Sequence, residues 1–267
     1  MTDASRRKVA LITGSGTGVG AAAALQLARQ GFNVLINYSR SADDAKQSQA
    51  ACIAAGADTL LAQGDVAVDA DCKALAQGAL ARWGRIDALV NNAGVTSFSG
   101  LANWDALDGE TFARIYAVNT VGPFQMVRAC AQALKAAHGC VVNVSSMAGI
   151  SGQGSSVPYI ASKGALNTLT LHLAKQMAPE VRVNAVCPGL ITSRWFVDGL
   201  GQAAFEKIKA TVANNSPLQT VCSPEDVAEA IVWLITGART MTGELMQLDS
   251  GSHLGPPAAS LVPVSRD

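Results

Sequence analysis

The sequence is poor in the residues that build metal and redox sites. It has 267 residues, with six cysteines (Cys52, Cys72, Cys130, Cys140, Cys187, Cys222) and three scattered histidines (His138, His172, His253). No two cysteines form a C-x-x-C pair, which argues against a zinc site or a redox dithiol and leaves buried or half-buried free thiols. No metal is expected. Charge is scarce too: 15% of residues are charged, and Lys+Arg equals Asp+Glu at 20 each. That balance offers no electrostatic basis for binding nucleic acid or an anionic membrane. No apolar run reaches the roughly 18 residues of a membrane helix. Met1 to Lys8 is polar, and the apolar stretch after it is too short and glycine-rich for a signal peptide. The chain therefore reads as cytoplasmic. No linker or repeat interrupts Lys8 to Ser252.

What is present is an alternation of short β-rich apolar runs with helical segments, as in a doubly wound parallel α/β sheet with helices on both faces. Lys8 to Thr13 is the first expected strand, and Ala21 to Gln30 the first helix, ended by Gly31. Between them lies Thr13-Gly14-Ser15-Gly16-Thr17-Gly18-Val19-Gly20. Glycines there let the backbone turn and approach a pyrophosphate, and the helix N-terminus offers free N–H groups to it. The plainer alternative is a tight turn.

Phe32 to Tyr38 is the second strand. A dinucleotide site specific for NAD places a carboxylate near its end, on the ribose diol. Here the tip reads Asn37-Tyr38-Ser39-Arg40-Ser41, with no acid before Asp43. Hydroxyl plus guanidinium suits a 2′-phosphate, which favours NADP(H) and leaves NAD(H) open. Arg40 can also be read as a solvated loop charge. Asp58 to Gln63 is a third strand, leading to Asp65-Val66. Asp65 can accept from an adenine amino group or cap the next helix, although Asp69 is the better placed N-cap. Asp87 to Val90 leads to Asn91-Asn92-Ala93-Gly94, small residues where a ligand can approach a strand's carboxyl end. A long helical segment, Asp108 to Ala137, carries Asn119, and an Asn in mid-helix needs a partner.

Gly139 to Val144, a fifth strand, delivers Ser145 and Ser146. Then comes Ser146 to Lys163. Pro158 sits where a helix can begin. Tyr159 and Lys163, four apart, share a face. The helix continues to about Ala178. Val181 to Val186 is the next strand, broken by Cys187-Pro188-Gly189. A lid is expected over 190–217, with one helical piece near Ala203 to Val212. A helix capped by Ser223 runs from Pro224 to about Thr236, and Gly243 to Leu248 is the last strand. The tail from Gly255 is expected to be extended.

These residues together resemble the short-chain dehydrogenase/reductase family, its ~250-residue type. The matching features are Thr13-Gly14-x-x-x-Gly18-x-Gly20, Asp65, Asn91-Asn92-Ala93-Gly94, Asn119, Ser146, Tyr159-x-x-x-Lys163 and Pro188-Gly189, in the family's order over almost the whole chain. The resemblance implies one domain over 1–267 with a seven-stranded Rossmann-type sheet. It implies a homo-oligomer, commonly a tetramer or else a dimer. The family's serine stands thirteen residues before its tyrosine, which selects Ser146 over Ser145. The implied catalytic set is Asn119, Ser146, Tyr159 and Lys163. Asn119 is implied to hold a water that links Lys163 to solvent. Cofactor contacts are expected at Gly14, Ser15, Thr17, Gly18, Val19, Tyr38, Ser39, Arg40, Asp65, Val66, Asn92, Ala93, Gly94, Tyr159, Lys163, Pro188 and Gly189. The resemblance adds Ile191 and Thr192, against the nicotinamide amide. Lys163 is expected to stabilise the Tyr159 phenolate, making it a usable acid/base.

The overall look is that of 3-ketoacyl-carrier-protein reductases. Where that subgroup presents basic residues to an acidic carrier, however, this chain has Lys135-Ala136-Ala137-His138 and Ala178-Pro179-Glu180. The expected pocket walls are Thr96 to Phe98, Met147 to Val157 and Leu190 to Phe196. They are mostly apolar or small, with Arg194 the only cation. A small neutral ketone or secondary alcohol fits them. A 3-ketoacyl thioester is the alternative substrate, and a non-catalytic dinucleotide-binding protein the alternative class.

Overall fold

The computed structural model describes residues 7–98 and 103–257. The expected apolar runs form seven strands: β1 (Val9–Ile12), β2 (Asn33–Tyr38), β3 (Thr59–Gln63), β4 (Ala88–Asn91), β5 (Cys140–Val144), β6 (Arg182–Pro188) and β7 (Leu245–Leu248). All pairings are parallel, in the order β3-β2-β1-β4-β5-β6-β7. Chain direction across the sheet reverses between β1 and β4, and a crevice opens at the strand ends there.

Alternation along the strands divides the core. Ala10, Ile12, Val34, Ile36 and Val90 face one layer, with α1 (Gly18–Arg29), α2 (Ala42–Ala54) and α10 (Pro224–Thr236). Val9, Leu11, Leu35, Leu89 and Val141 face the other. It holds α3 (Asp69–Trp83), α5 (Gly122–Ala136) and α7 (Val157–Met177). Both sheet faces are covered, so these strands read as continuous apolar runs. A fully buried Leu11 or Ile12 contributes on the order of 1.5–3 kcal/mol of burial free energy. All six cysteines are free and buried. Among the described residues, no helix is long and apolar enough to cross a membrane.

Several boundaries differ from the sequence reading. Helix α1 starts inside the glycine cluster, at Gly18, three residues early. Val68, not Asp69, is the N-cap residue of α3, and its side chain makes no capping bond. Strand β6 continues through Cys187 and Pro188, because Pro188 sits at the strand's end opposite Leu248. The 190–217 segment holds two helices, α8 (Arg194–Leu200) and α9 (Gln202–Asn214), separated by Gly201 at φ +80°. Ser223 does cap α10, in a reciprocal capping box with Asp226. Most of the expected extended tail lies outside the described residues.

The long Asn119 segment is not one regular helix. It is α4 (Gly109–Tyr116), a π-helical stretch over Ala117–Val121, then α5. Such single-turn π segments mark functional sites often enough to direct attention to Asn119.

Candidate active site

The glycine loop is held from behind. Gly14 has φ +60°, and a Cβ there would stand 2.9 Å from the Ala93 Cα. Thr13 Oγ1 accepts from the amides of Asn92 (3.0 Å) and Ala93 (3.1 Å), and Asn92 Nδ2 donates to the carbonyls of Thr13 (3.0 Å) and Gly14 (2.9 Å). Asn37 Oδ1 accepts from the Gly14 amide at 3.1 Å, and its Nδ2 donates to the Gly64 carbonyl at 3.0 Å. The sequence reading placed Asn37 at the strand tip but gave it no role. Its only signal was a polar side chain at an interior position of an apolar strand. Thr17, at the α1 N-cap, makes no side-chain capping bond. The first-turn amides of α1, which have no intrahelical acceptors, therefore remain available to an anion.

Opposite this loop stand the catalytic candidates. Strand β5 delivers Ser145 and Ser146 with different orientations. Ser145 is buried, donating to Asn167 Oδ1 (2.5 Å) and lying 3.3 Å from the Lys163 carbonyl. Ser146 is half-buried on the cleft side, and its Oγ accepts from the Ala148 amide at 3.1 Å, at the start of the short helix α6 (Ala148–Ser151). The choice between the two serines thus has a geometric basis. Ser145 binds the α7 backbone, and Ser146 faces Tyr159.

Tyr159 and Lys163 lie on the first turns of α7, with Lys163 Nζ 5.7 Å from the Tyr159 ring centroid. Lys163 is 4% exposed and donates to the Val144 carbonyl at 2.8 Å. Burial pulls its pKa from 10.5 down to about 8. Burial also pushes the Tyr159 phenol up to about 12, and the Ser146 hydroxyl pulls the other way. Desolvation is thus the larger influence on the phenol.

Asn119 is fully buried and not on the cleft surface. Its Oδ1 accepts from the Val95 amide (2.8 Å), and its Nδ2 donates to the Val95 carbonyl (2.9 Å) and to Ser162 Oγ (3.0 Å). Ser162 in turn donates to the Tyr159 carbonyl at 2.8 Å. Asn119 therefore ties the loop after β4 to the turn carrying Tyr159 and Lys163. Ser162 is a second residue the sequence did not reveal. Nothing distinguishes it from any helix serine until its partners are known.

All the expected cofactor and catalytic residues except Ser15 and Asn119 line one continuous cleft of about 1730 Å³. Ser15 is a correction. It is fully buried, its Oγ donating to the Ile12 carbonyl (2.8 Å) and accepting from the Asn37 amide (3.0 Å). Its side chain closes the β1–β2 crevice and is not offered to a ligand. The expected pocket walls are only partly on the cleft: Phe98, Met147, Ala148, Ser151, Gln153 to Ser155 and Leu190 to Phe196 line it, and the rest do not. Thr96 lies outside the cleft lining, and its hydroxyl is 2.6 Å from Ser155 Oγ. Val157 is likewise outside it. Arg194 is the only cation on those walls, and Arg40, Arg114 and Lys163 line the cleft elsewhere.

The groove, with its glycine cradle and unpartnered helix start, fits a dinucleotide that reaches from the tip of β2 to Tyr159. Matches to known proteins agree with that reading. A family model described as "Enoyl-(Acyl carrier protein) reductase" matches residues 14–253. A ketoacyl reductase named for the granaticin polyketide synthase of Streptomyces violaceoruber is 39% identical over 95% of this chain and 99% of that protein. The 3-oxoacyl-(acyl-carrier-protein) reductase of Staphylococcus aureus is 30% identical over 92% of this chain and 98% of that protein. A crystal structure of a protein titled as a short-chain dehydrogenase/reductase, from Burkholderia xenovorans, superposes with a TM-score of 0.87. It is 39% identical and covers 94% of this chain and 99% of that one.

The chain belongs to the short-chain dehydrogenase/reductase family.

It is accordingly an oxidoreductase acting between hydroxyl and keto groups, and membership of this family implies a nicotinamide cofactor. Its fold is the family's single seven-stranded Rossmann-type sheet.

Proposed function

We propose that this short-chain dehydrogenase/reductase is an NADP(H)-dependent reductase of a neutral ketone, with the secondary alcohol as its product. The observation that carries this reading is the placement of two hydroxyls, Ser146 and Tyr159, beside the buried Lys163 amine at one end of a groove that begins at an anion-ready helix N-terminus.

The dinucleotide would lie with its pyrophosphate on Gly14 and Thr17 to Val19, and its adenine by Asp65 and Val66. Its nicotinamide half would run along Asn92 to Gly94, Lys163, Pro188-Gly189 and Ile191-Thr192. The Asp65 carboxylate is already oriented, because its Oδ1 accepts from the Ala67 amide at 2.9 Å. Arg40 is exposed at the cleft edge with no ion-pair partner among the described residues. The next acid along the chain, Asp43, is paired with Lys46. Both facts support a 2′-phosphate at Tyr38-Ser39-Arg40. When bound, the cofactor supplies the hydride.

The chain's own groups manage the proton. Ser146 donates to the substrate oxygen and stabilises the negative charge that builds there. Tyr159, whose pKa burial pushes up to about 12, gives its phenolic proton to the same oxygen. Lys163 faces the resulting phenolate, where its protonated form becomes the favoured one and limits the cost of that charge. Asn119 acts by positioning: it holds the Val95 loop and, through Ser162, the first turns of α7.

NADPH and NADH oxidation should be followed against a panel of ketones, for the wild type and Arg40→Ala. Turnover with NADPH preferred, and an Arg40→Ala change that weakens NADPH at least tenfold more than NADH, supports the proposal. Equal loss with both cofactors rules out the 2′-phosphate role of Arg40. No turnover with any carbonyl leaves the alternative of a non-catalytic dinucleotide-binding protein.

A second reading is reduction of a 3-ketoacyl thioester. It is favoured by the names of the Streptomyces and Staphylococcus relatives. It is disfavoured by the few basic residues around Lys135–His138 and Ala178–Glu180. Acetoacetyl thioesters in the same panel decide between them. A homo-oligomer is consistent with the apolar side chains exposed on α5 and α7, Phe124 and Leu171. Size-exclusion chromatography with light scattering would test it.

A further inference from the structure

Only 5% of the residues are aromatic, yet five of them form one continuous cluster at the catalytic end of the cleft. Trp195 of α8 lies against the Tyr159 ring, centroids 5.8 Å apart and planes tilted by 58°. Phe98 meets Trp195 edge-on at 6.0 Å and Phe196 edge-on at 6.1 Å. Trp195 and Phe196 are 5.4 Å apart, and Phe196 stacks on the buried Phe205 at 6.2 Å and 19°. Phe98 is seated where only a glycine permits it, because a Cβ on Gly199 would overlap its ring. The rings come from the loop after β4, from α7, from α8 and from α9. They are brought together by tertiary structure rather than by local sequence. Charge is drawn away from them, since the Arg194 guanidinium, next to Trp195, is paired with Asp44 of α2 at 2.8 Å.

We propose that this cluster selects a flat, fused-ring or aryl ketone, held with its ring plane against Trp195 and Phe98 while its carbonyl reaches Ser146 and Tyr159. The inference rests on the ketone-reductase reading and adds the substrate class. A planar skeleton loses little conformational entropy on binding and can take up the edge-to-face and offset contacts these rings prefer. Each such contact is worth roughly two- to twelvefold in affinity beyond simple burial. An open alkyl chain of equal carbon count gains burial only and must freeze its rotors. The cluster also supplies no cation for the phosphate of a carrier arm. Arg40 and Arg114, the exposed guanidiniums of the lining without an ion pair among the described residues, are not among its members.

The test is a matched pair of ten-carbon ketones, 2-tetralone and 2-decanone, with acetoacetyl-N-acetylcysteamine as a third substrate, all with NADPH and the intact protein. The expected result is a kcat/KM for 2-tetralone at least tenfold above the other two. Trp195→Leu and Phe196→Leu should each bring the tetralone-to-decanone ratio down at least threefold. The wild-type ratio stands alone if either variant fails to fold. A ratio within threefold of one, or one that neither folded variant changes, overturns the inference while leaving the reductase reading intact. No NADPH oxidation with any of the three overturns both.

Discussion

The two sides of the cleft are built by different means. On the side proposed for the cofactor, the turns are fixed by buried or half-buried polar side chains that bond to backbone: Thr13 and Asn92 between β1 and β4, Ser15 and Asn37 between β1 and β2. Such satisfied networks specify a single arrangement, since breaking any member leaves a buried donor or acceptor without a partner. On the substrate side the wall is α8 and α9. Among the described residues they contribute one buried side chain, Phe205, and are held by ring contacts and by the exposed Arg194–Asp44 pair. An exposed ion pair of this kind is worth about 0–1 kcal/mol. The cofactor wall is therefore built to stay, and the substrate wall can change its side chains without disturbing the sheet. Ser146, Tyr159 and Lys163 stand where the two meet.

The sharpest way to break this contrast is Tyr159→Phe, which removes one oxygen and leaves the ring against Trp195. If chemistry and cofactor binding are separable, kcat should fall by roughly 10²–10⁴-fold. The NADPH dissociation constant, from fluorescence titration, should stay within about threefold. Comparable loss of both would show that the two walls are not independent. Next in size is the neighbouring serine pair. Ser146→Ala should lower kcat by about 10²-fold with little change in melting temperature. Ser145→Ala should do the reverse, costing about 1–3 kcal/mol of stability, because Asn167 loses its buried partner. If Ser145→Ala is the variant that abolishes turnover at unchanged stability, the assignment of roles is wrong.

The smallest shift in melting temperature is expected at Lys163. Burial lowers its pKa from 10.5 to about 8, so the unfolded chain holds that proton more tightly than the native one. Below about pH 8 the protein bears the full penalty, up to about 3 kcal/mol, and stability recovers as pH rises from 8 towards 10.5. Lys163→Met should therefore melt at or above the wild type at pH 7, the gap closing by pH 10, while turnover is lost. A variant less stable than wild type at pH 7 would mean that the Lys163 bond to the Val144 carbonyl outweighs the desolvation of its charge.

Legibility in the sequence followed the range of the interactions involved. The strand order of elements, the glycine loop and the Ser223 cap were readable because period, turn chemistry and capping act within a few residues. Boundaries slipped where a longer-range contact decided them. Strand β6 kept Pro188 because the end of the strand, next to β7, tolerates a missing donor. Asn119 was read as an awkward mid-helix residue. The reason it is tolerated is the π-helical stretch around it and its bonds to Val95 and Ser162, 24 and 43 residues away.

The stretch from Ser146 to Lys163 shows the division most plainly. The sequence by itself determined that a strand would present adjacent serines near a helix bearing Tyr159 and Lys163, since apolar runs and i, i+4 spacing are local properties. It likewise determined that a glycine-rich turn leads from β1 into α1. Only the tertiary structure decided why Ser146 rather than Ser145 faces the cleft, that Ser15 turns inward, that burial lowers the Lys163 pKa to about 8, and that rings from four separate elements, Tyr159 among them, meet in one cluster. Those outcomes depend on side-chain direction and burial. Both are set by partners far away in the chain, which no local pattern records.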